Sequence, residues 1–286
     1  MRRIFTHYLY PLLLPIVTKS LSMSTSVPKK VVVVGGGIQG TSVAYHISKA
    51  SPTTQVQILE AKAPASAASG KGGGFMARSW GDGGPTQDLH HVAFDMYEDL
   101  ANELGCTSYR KLPVLSVRPG TNNRGVNQAR KDRTLGPLMP NWLDGNTGGI
   151  SAMGYGDDTA QITPKEFVEK MLERSGIEVV LGECCGMVTE QSNDGEGEVI
   201  GVKYIPRDGS DEEVLQTDTV VVSAGPWSCA AEDWFGSVDL PIEGVKSTSI
   251  VWKKGADEAD ATALFCGEDN RFGTHCKYSA ESTQYI

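Results

Sequence analysis

Residues Val31 to Lys49 read VVVVGGGIQGTSVAYHISK, and this stretch decides the fold. Four β-branched residues in a row, Val31–Val34, predict a strand covered on both faces. Gly35, Gly37 and Gly40 follow at G-x-G-x-x-G spacing, with Gly36, Ile38 and Gln39 between them, and open a helix. The three glycines act differently. Gly35 permits the tight turn, Gly37 admits a diphosphate close to the backbone, and Gly40 removes a side chain where helix meets strand. The unpaired N–H groups at the start of that helix, at the positive end of its dipole, suit a pyrophosphate.

Glycines after a valine run can mark any tight strand-to-helix turn, so the context matters. Gln55–Leu59 (QVQIL) reads as the next parallel strand, and Glu60 stands at its carboxyl end. A carboxylate there accepts hydrogen bonds from ribose hydroxyls and repels a ribose phosphate, which favours FAD or NAD over NADP. Strand, spacing and acidic residue together predict a dinucleotide-binding βαβ unit.

A chain of 286 residues with 40% hydrophobic content can bury a substantial core. Of the net charge of −9, six basic residues before Glu60 contribute +6, which leaves −15 on the remainder and argues against a nucleic-acid surface. Residues 1–29 combine Arg2 and Arg3, a short apolar run from Tyr8 to Val17 and a Ser/Thr-rich tail. They read equally as a targeting segment or as a disordered extension with Met23 as the working start. The apolar run is too short to span a bilayer. An intracellular location is expected, cytoplasmic, or mitochondrial or plastid if the leader is a transit peptide. Six cysteines show no paired C-x-x-C spacing, so no metal site is expected. Adjacent Cys184 and Cys185 could form a redox switch, but two small apolar side chains in a strand is the favoured reading.

The Ala/Ser/Gly-rich stretch Ala61–Gly74 has no bulky side chains until Phe75, and predicts a close ligand approach or a sharp bend; composition also allows a surface loop. Pro85–Leu104 predicts a helix from Leu89, Val92, Ala93, Met96, Leu100 and Leu104, with Gly105 as its stop and His90 and His91 as surface residues. Pro119–Gly156 shows no hydrophobic period and predicts a long loop or insertion. Thr163 is the expected N-cap of a helix to Ser175, with Pro164 first in the helix, Glu166 completing a capping box and Gly176 ending it. Strands are expected at Ile177–Leu181, Cys185–Thr189, Val199–Ile205 and Thr219–Ser223, separated by polar turns that include Arg207–Glu213. Further strands are expected at Ile242–Lys253 and Ala263–Phe265. The TVVVSAGPWS segment repeats the opening logic, a buried strand ending in a small-residue turn, with Pro226 and Trp227 starting a helix.

Four pieces in this order, GGGIQG with Glu60, ASAASGKGGGF, the AQITP segment with its helix, and TVVVSAGPWS, resemble the FAD-dependent oxidoreductases of the glycine oxidase and D-amino-acid oxidase superfamily, from about Val31 to about His275. Within it the chain looks most like the branch known simply as FAD-dependent oxidoreductase domain proteins. The resemblance implies an α/β fold, α+β overall: a Rossmann-like FAD-binding domain with a parallel sheet (residues 30–80 and 160–231) and an interleaved, mainly antiparallel substrate domain (81–159 and 232–286).

By the same resemblance, Gly35, Gly36, Gly37, Ile38, Gln39 and Gly40 hold the FAD pyrophosphate, Glu60 the adenosine ribose, and Lys62 lies toward the adenine. Ser69, Gly70, Gly73 and Gly74 pass under the pyrophosphate and ribityl chain, the Val188 backbone meets adenine, and Ala224, Gly225 and Trp227 form the turn after the last FAD-domain strand. The implied chemistry is dehydrogenation of a carbon–nitrogen bond of an amine or amino acid: hydride passes to flavin N5, and water hydrolyses the imine. Arg78, Lys246, Arg271 and His275 are candidate contacts for a substrate carboxylate or the flavin ring, and each reads equally as a surface charge. Family members continue into a glycine-rich segment and a final helix that KYSAESTQYI lacks. That motivates the expectation of a truncated substrate domain, and the alternative of a catalytically impaired flavin-binding scaffold with a regulatory or trafficking role. An NAD-dependent dehydrogenase is a further alternative that leaves ASAASGKGGGF unexplained.

Overall fold

The structure, a computed structural model, describes residues 27–191, 197–235, 239–249 and 260–266. The leader up to residue 26, Arg271, His275 and Cys276 lie outside the described residues. In chain order the first elements are β1 (Lys30–Val34), α1 (Ile38–Ala50), β2 (Gln55–Glu60), α2 (Ala68–Lys71), β3 (Phe75–Ala77) and α3 (Gln87–Leu104). Then come β4 (Arg110–Lys111), β5 (Val114–Pro119), α4 (Arg124–Lys131), β6 (Thr147–Gly154), β7 (Thr159–Gln161) and α5 (Pro164–Ser175). The last are β8 (Glu178–Gln191), β9 (Gly197–Pro206), β10 (Glu213–Gln216), β11 (Thr219–Val222), α6 (Ala231–Phe235) and β12 (Ala263–Cys266).

The main sheet has the order β10-β9-β8-β2-β1-β11. Strands β8, β2, β1 and β11 are parallel, and β9 and β10 extend the sheet as an antiparallel meander. Val31–Val34 are buried on both faces, as four successive valines require. Val31 and Val33 pack with Ala44 and Ile58 on one side, while Val32 and Val34 pack with Leu59, Val202 and Tyr204 on the other. Among the described residues, two small three-stranded sheets, β12-β5-β6 and β3-β7-β4, accompany it. The α/β class with a parallel sheet is therefore observed.

Several elements differ from the sequence-based expectation. The two strands expected at Ile177–Leu181 and Cys185–Thr189 are one strand, β8, whose first part pairs in parallel with β2 and whose remainder pairs antiparallel with β9. Gly182, which reads as a break, instead makes room for the Tyr204 ring: a Cβ there would lie 2.5 Å from it. The register shift between Cys184 and Gly186 is a bulge. Val214 and Leu215, which follow the expected polar turn, form β10. The expected loop Pro119–Gly156 contains α4 and β6. Only Val126 and Ala129 of α4 are buried, and glycines dilute β6, so neither announces itself without its partner β5. Residues 242–249 are exposed and form no strand, while 250–253 lie outside the described residues.

Helix α3 runs close to the expected span, but the first part of its apolar stripe turns away from the core. Leu89, Val92 and Met96 are 66%, 58% and 48% exposed, and the buried contacts come from Phe94, Ala101 and Leu104. Ala101 and Leu104 pack with Tyr45 of α1 and with Phe167 and Met171 of α5, so packing joins this helix to the nucleotide-binding half although it follows Gly81. The expected capping box does not form. Thr163 precedes α5 without a side-chain cap, and Glu166 accepts hydrogen bonds from the backbone and hydroxyl of both Thr107 and Ser108. Burial pushes its carboxyl up, but these bonds outweigh that and draw it down to about 2. The Ser108 hydroxyl in turn accepts the Thr163 N–H at 2.9 Å.

Candidate functional site

The glycine turn joins the carboxyl end of β1 to the amino end of α1. Gly35 sits at φ +109°, and a Cβ there would lie 2.4 Å from the Ser223 carbonyl oxygen, so β11 presses directly on the turn. A Cβ on Gly40 would come within 2.0 Å of the Gly35 oxygen. Both positions exclude side chains for packing reasons alone. Gly37 is different: its backbone is extended, and a Cβ would meet only the Ser69 side chain, at 3.0 Å. The space beside Gly37 is open except for that hydroxyl.

Glu60 lies against this turn. Its Oε2 accepts the Gly36 N–H at 2.7 Å and its Oε1 accepts the Lys62 N–H at 2.9 Å. The carboxylate is thus held by two backbone donors at the end of β2, beside the start of α1. Ser69 Oγ accepts the Ile38 N–H at 2.9 Å, which satisfies one of the orphan donors of the first helical turn. Gln39 and Gly40 follow in the same turn, where no intrahelical acceptor exists for their amides. A cradle of open backbone, helix amides and a fixed carboxylate fits the ADP half of a dinucleotide.

The Ala/Ser/Gly-rich stretch bends sharply beneath the turn. Ala65 takes φ +54° and donates its N–H to the Gly36 oxygen at 3.0 Å. Gly70 closes the bend, since a Cβ would strike the Ala65 oxygen at 1.8 Å. Gly74, at φ +66°, lies equally tight on the Ile162 oxygen. Ser69, Gly70 and the α1 turn are therefore brought together, and Gly73 and Gly74 lead away toward β3 and β7. Lys62 is exposed, and its carbonyl accepts Arg207 Nη1 at 2.6 Å.

Ala224 and Gly225 follow β11 beside Gly35, with Gly225 at φ +58°. Trp227 is exposed in the 3₁₀ turn Gly225–Ala230, where the sequence predicts a helix. Val188 lies on the later part of β8, past the bulge between Cys184 and Gly186, where it pairs with Gly201 of β9. Arg78 makes a two-point ion pair with Asp95, at 2.8 and 3.0 Å, and Lys246 is exposed. His91 bonds Asp82 at 2.7 Å, and His90 bonds Thr86.

Gln161, which sequence reasoning did not single out, touches the glycine stretch. Buried on β7, it donates to the Gly73 oxygen at 3.0 Å and accepts Arg110 Nε at 3.0 Å, which ties the glycine stretch to both small-sheet neighbours. Its only signal in the sequence is its place in the AQITP segment. Among the described residues no group of His, Cys, Asp or Glu could hold a metal ion, and no helix is long and apolar enough to cross a membrane. Cys184 is half-buried, its thiol pushed up by burial to about 11, while Cys185 is exposed on the other side of β8. A cleft of about 620 Å³ opens between Lys49, Glu103, Arg174 and Glu178. It lies at the amino ends of β2 and β8, whereas open α/β sheets bind nucleotides at the carboxyl ends.

Residues 30–278 match the family described as FAD dependent oxidoreductase, DAO. A Schizosaccharomyces pombe protein named as an oxidoreductase is 24% identical over 70% of this chain and 55% of its own. Glycine oxidase from Bacillus cereus superposes with a TM-score of 0.50 at 19% identity, over 70% of this chain and 56% of that one. L-amino acid deaminase from Proteus myxofaciens gives 0.51 at 20%, over 76% and 50%. These structures share the fold, and the chain spans about half the length of the relatives it matches. With the glycine turn, Glu60 and the β11 corner in the arrangement described, the chain belongs to the DAO family of FAD-dependent oxidoreductases.

Proposed function

We propose that the protein binds FAD along the β1–α1 turn and oxidises a carbon–nitrogen bond of an amine or amino acid. The observation that carries this reading is the Glu60 carboxylate, fixed 2.7 Å from the Gly36 N–H beside the open backbone of Gly37. In this reading Glu60 holds the adenosine ribose, and the first-turn amides of α1 hold the diphosphate, with Ser69 Oγ yielding the Ile38 amide. Gly73 and Gly74 carry the cofactor path toward β3, Gln161 keeps that path rigid, and Ala224 and Gly225 close it from the β11 side. Lys62 supports the cradle through its N–H on Glu60, and the parts of Val188 and Trp227 rest on the family resemblance. When bound, FAD would supply the redox chemistry for dehydrogenating the carbon–nitrogen bond. The names of glycine oxidase and L-amino acid deaminase support a nitrogen-bearing substrate.

Purified protein should carry FAD, identified by mass spectrometry of the released small molecule. Anaerobic mixing with a panel of amines and amino acids should bleach the flavin with at least one of them. A protein that neither retains nor takes up FAD overturns the reading. Retained flavin that no compound reduces removes the catalytic part and leaves a flavin-binding scaffold.

A further inference from the structure

Directly after Gly74, three aromatic rings from different parts of the chain meet. Phe75 of β3, Trp80 and Phe265 of β12 have ring centroids 5.0–5.7 Å apart in tilted or edge-on arrangements. Trp80 is pinned by a hydrogen bond from its Nε1 to the Met153 oxygen of β6 at 3.2 Å, yet 41% of the residue stays exposed. Its polar handle is used, so what it offers to a ligand is its ring. The cluster joins β3 of the nucleotide-binding half to β12 and β6 of the other half.

A second, independent feature lies one residue away along the chain. Ser79 Oγ donates to Asp158 Oδ2 at 3.0 Å, while Asp158 Oδ1 is buried without a hydrogen-bond partner. Buried carboxylate oxygens are normally satisfied, so this atom lacks a donor. A protonated amine supplies both things the place offers to complement: N–H groups and positive charge for Asp158, and a cation or apolar substituent for the rings. Arg78, the neighbouring cation that could otherwise take a substrate carboxylate, is occupied by Asp95.

We infer that Asp158 with Phe75, Trp80 and Phe265 forms the subsite that receives the substrate, and that the substrate is a cationic amine carrying an apolar or aromatic substituent. This deepens the amine-oxidation reading and rests on it. Asp158 takes the nitrogen, the rings take the substituent, and Ser79 is the positioning residue that orients the carboxylate.

The test is a binding titration of the full chain, followed by tryptophan fluorescence and calorimetry, with benzylamine, methylamine, benzyl alcohol and phenylalanine as probes. Wild type should prefer benzylamine to benzyl alcohol and to methylamine, each by about tenfold or more. Asp158→Asn retains an oxygen for Ser79, so it should fold and lose only the preference for amine over alcohol. Trp80→Ala should lose the preference for benzylamine over methylamine, and Trp80→Phe should restore most of it. If the Asp158→Asn and Trp80→Ala variants keep wild-type preferences, or phenylalanine binds as tightly as benzylamine, the inference is wrong. If Trp80→Ala lowers only the melting temperature, the rings are inter-sheet packing and the inference is equally wrong. Binding is read with or without FAD, so failure to hold FAD sinks the oxidoreductase reading separately from the subsite.

Discussion

Gly37→Val separates the cofactor cradle from the fold that carries it. Gly37 has ordinary extended backbone angles, and only the Ser69 hydroxyl, at 3.0 Å, stands within reach of an added Cβ, so a small rotation of that side chain lets the chain accept valine. Replacing glycine by an aliphatic residue at an N-cap costs about 1 kcal/mol. The valine methyls, however, would fill the space beside the helix amides where a diphosphate must come. Loss of two hydrogen bonds to a charged group, at about 1.5–3 kcal/mol each, gives about 3–6 kcal/mol. That corresponds to FAD affinity weakened about 10²- to 10⁴-fold. Gly40→Ala is the control, because its Cβ would sit 2.0 Å from the Gly35 backbone oxygen and damage the fold itself. Flavin fluorescence titration gives the dissociation constants, and calorimetric melting of the flavin-free proteins gives the stabilities. Gly37→Val should lose FAD while melting within a few degrees of wild type, and Gly40→Ala should lose both. An unchanged FAD affinity in Gly37→Val would show that the diphosphate does not lie on this turn.

Glu60→Ala removes the acceptor for the Gly36 and Lys62 amides and the proposed ribose contact, so FAD binding should weaken by about 1.5–3 kcal/mol; isothermal titration measures it. Glu166, held near 2 against an unfolded value near 4.5, adds stability at neutral pH that fades as pH falls from about 4.5 toward 2. Discounted for its solvent contact this is about 1–2 kcal/mol, and in Glu166→Gln that part of the pH dependence should vanish from denaturant melts taken between pH 6 and 3. Ile58→Ala leaves a hole in the fully buried middle of β2 and should cost about 2–5 kcal/mol in urea unfolding.

Much of the nucleotide-binding half is legible because its signals are local. Four valines, three spaced glycines and an acidic residue at a strand end constrain backbone within a few residues of each other, and β1, α1 and β2 lie where that spacing predicts. Helix α5 is equally readable from Pro164 and Gly176, but its cap is not. The Glu166 carboxylate finds stronger donors at Thr107 and Ser108, 59 and 58 residues away, than its own Thr163 offers. The exposed stripe of α3 misleads for a related reason: periodicity reports that a helix has an apolar face, not what covers it. Asp158 looks like one acidic residue among 35 until its partners are known.

The sequence by itself determined the βαβ unit, its glycine turn and the acidic residue at the end of its second strand, since these depend on side-chain size, backbone freedom and charge at neighbouring positions. Only the tertiary structure decided that β11 seals the turn from 188 residues away, that Gln161 braces Gly73, and that Phe75, Trp80 and Phe265 meet. Such contacts join segments far apart in the chain, and they exist only where close packing of the whole core brings those surfaces together.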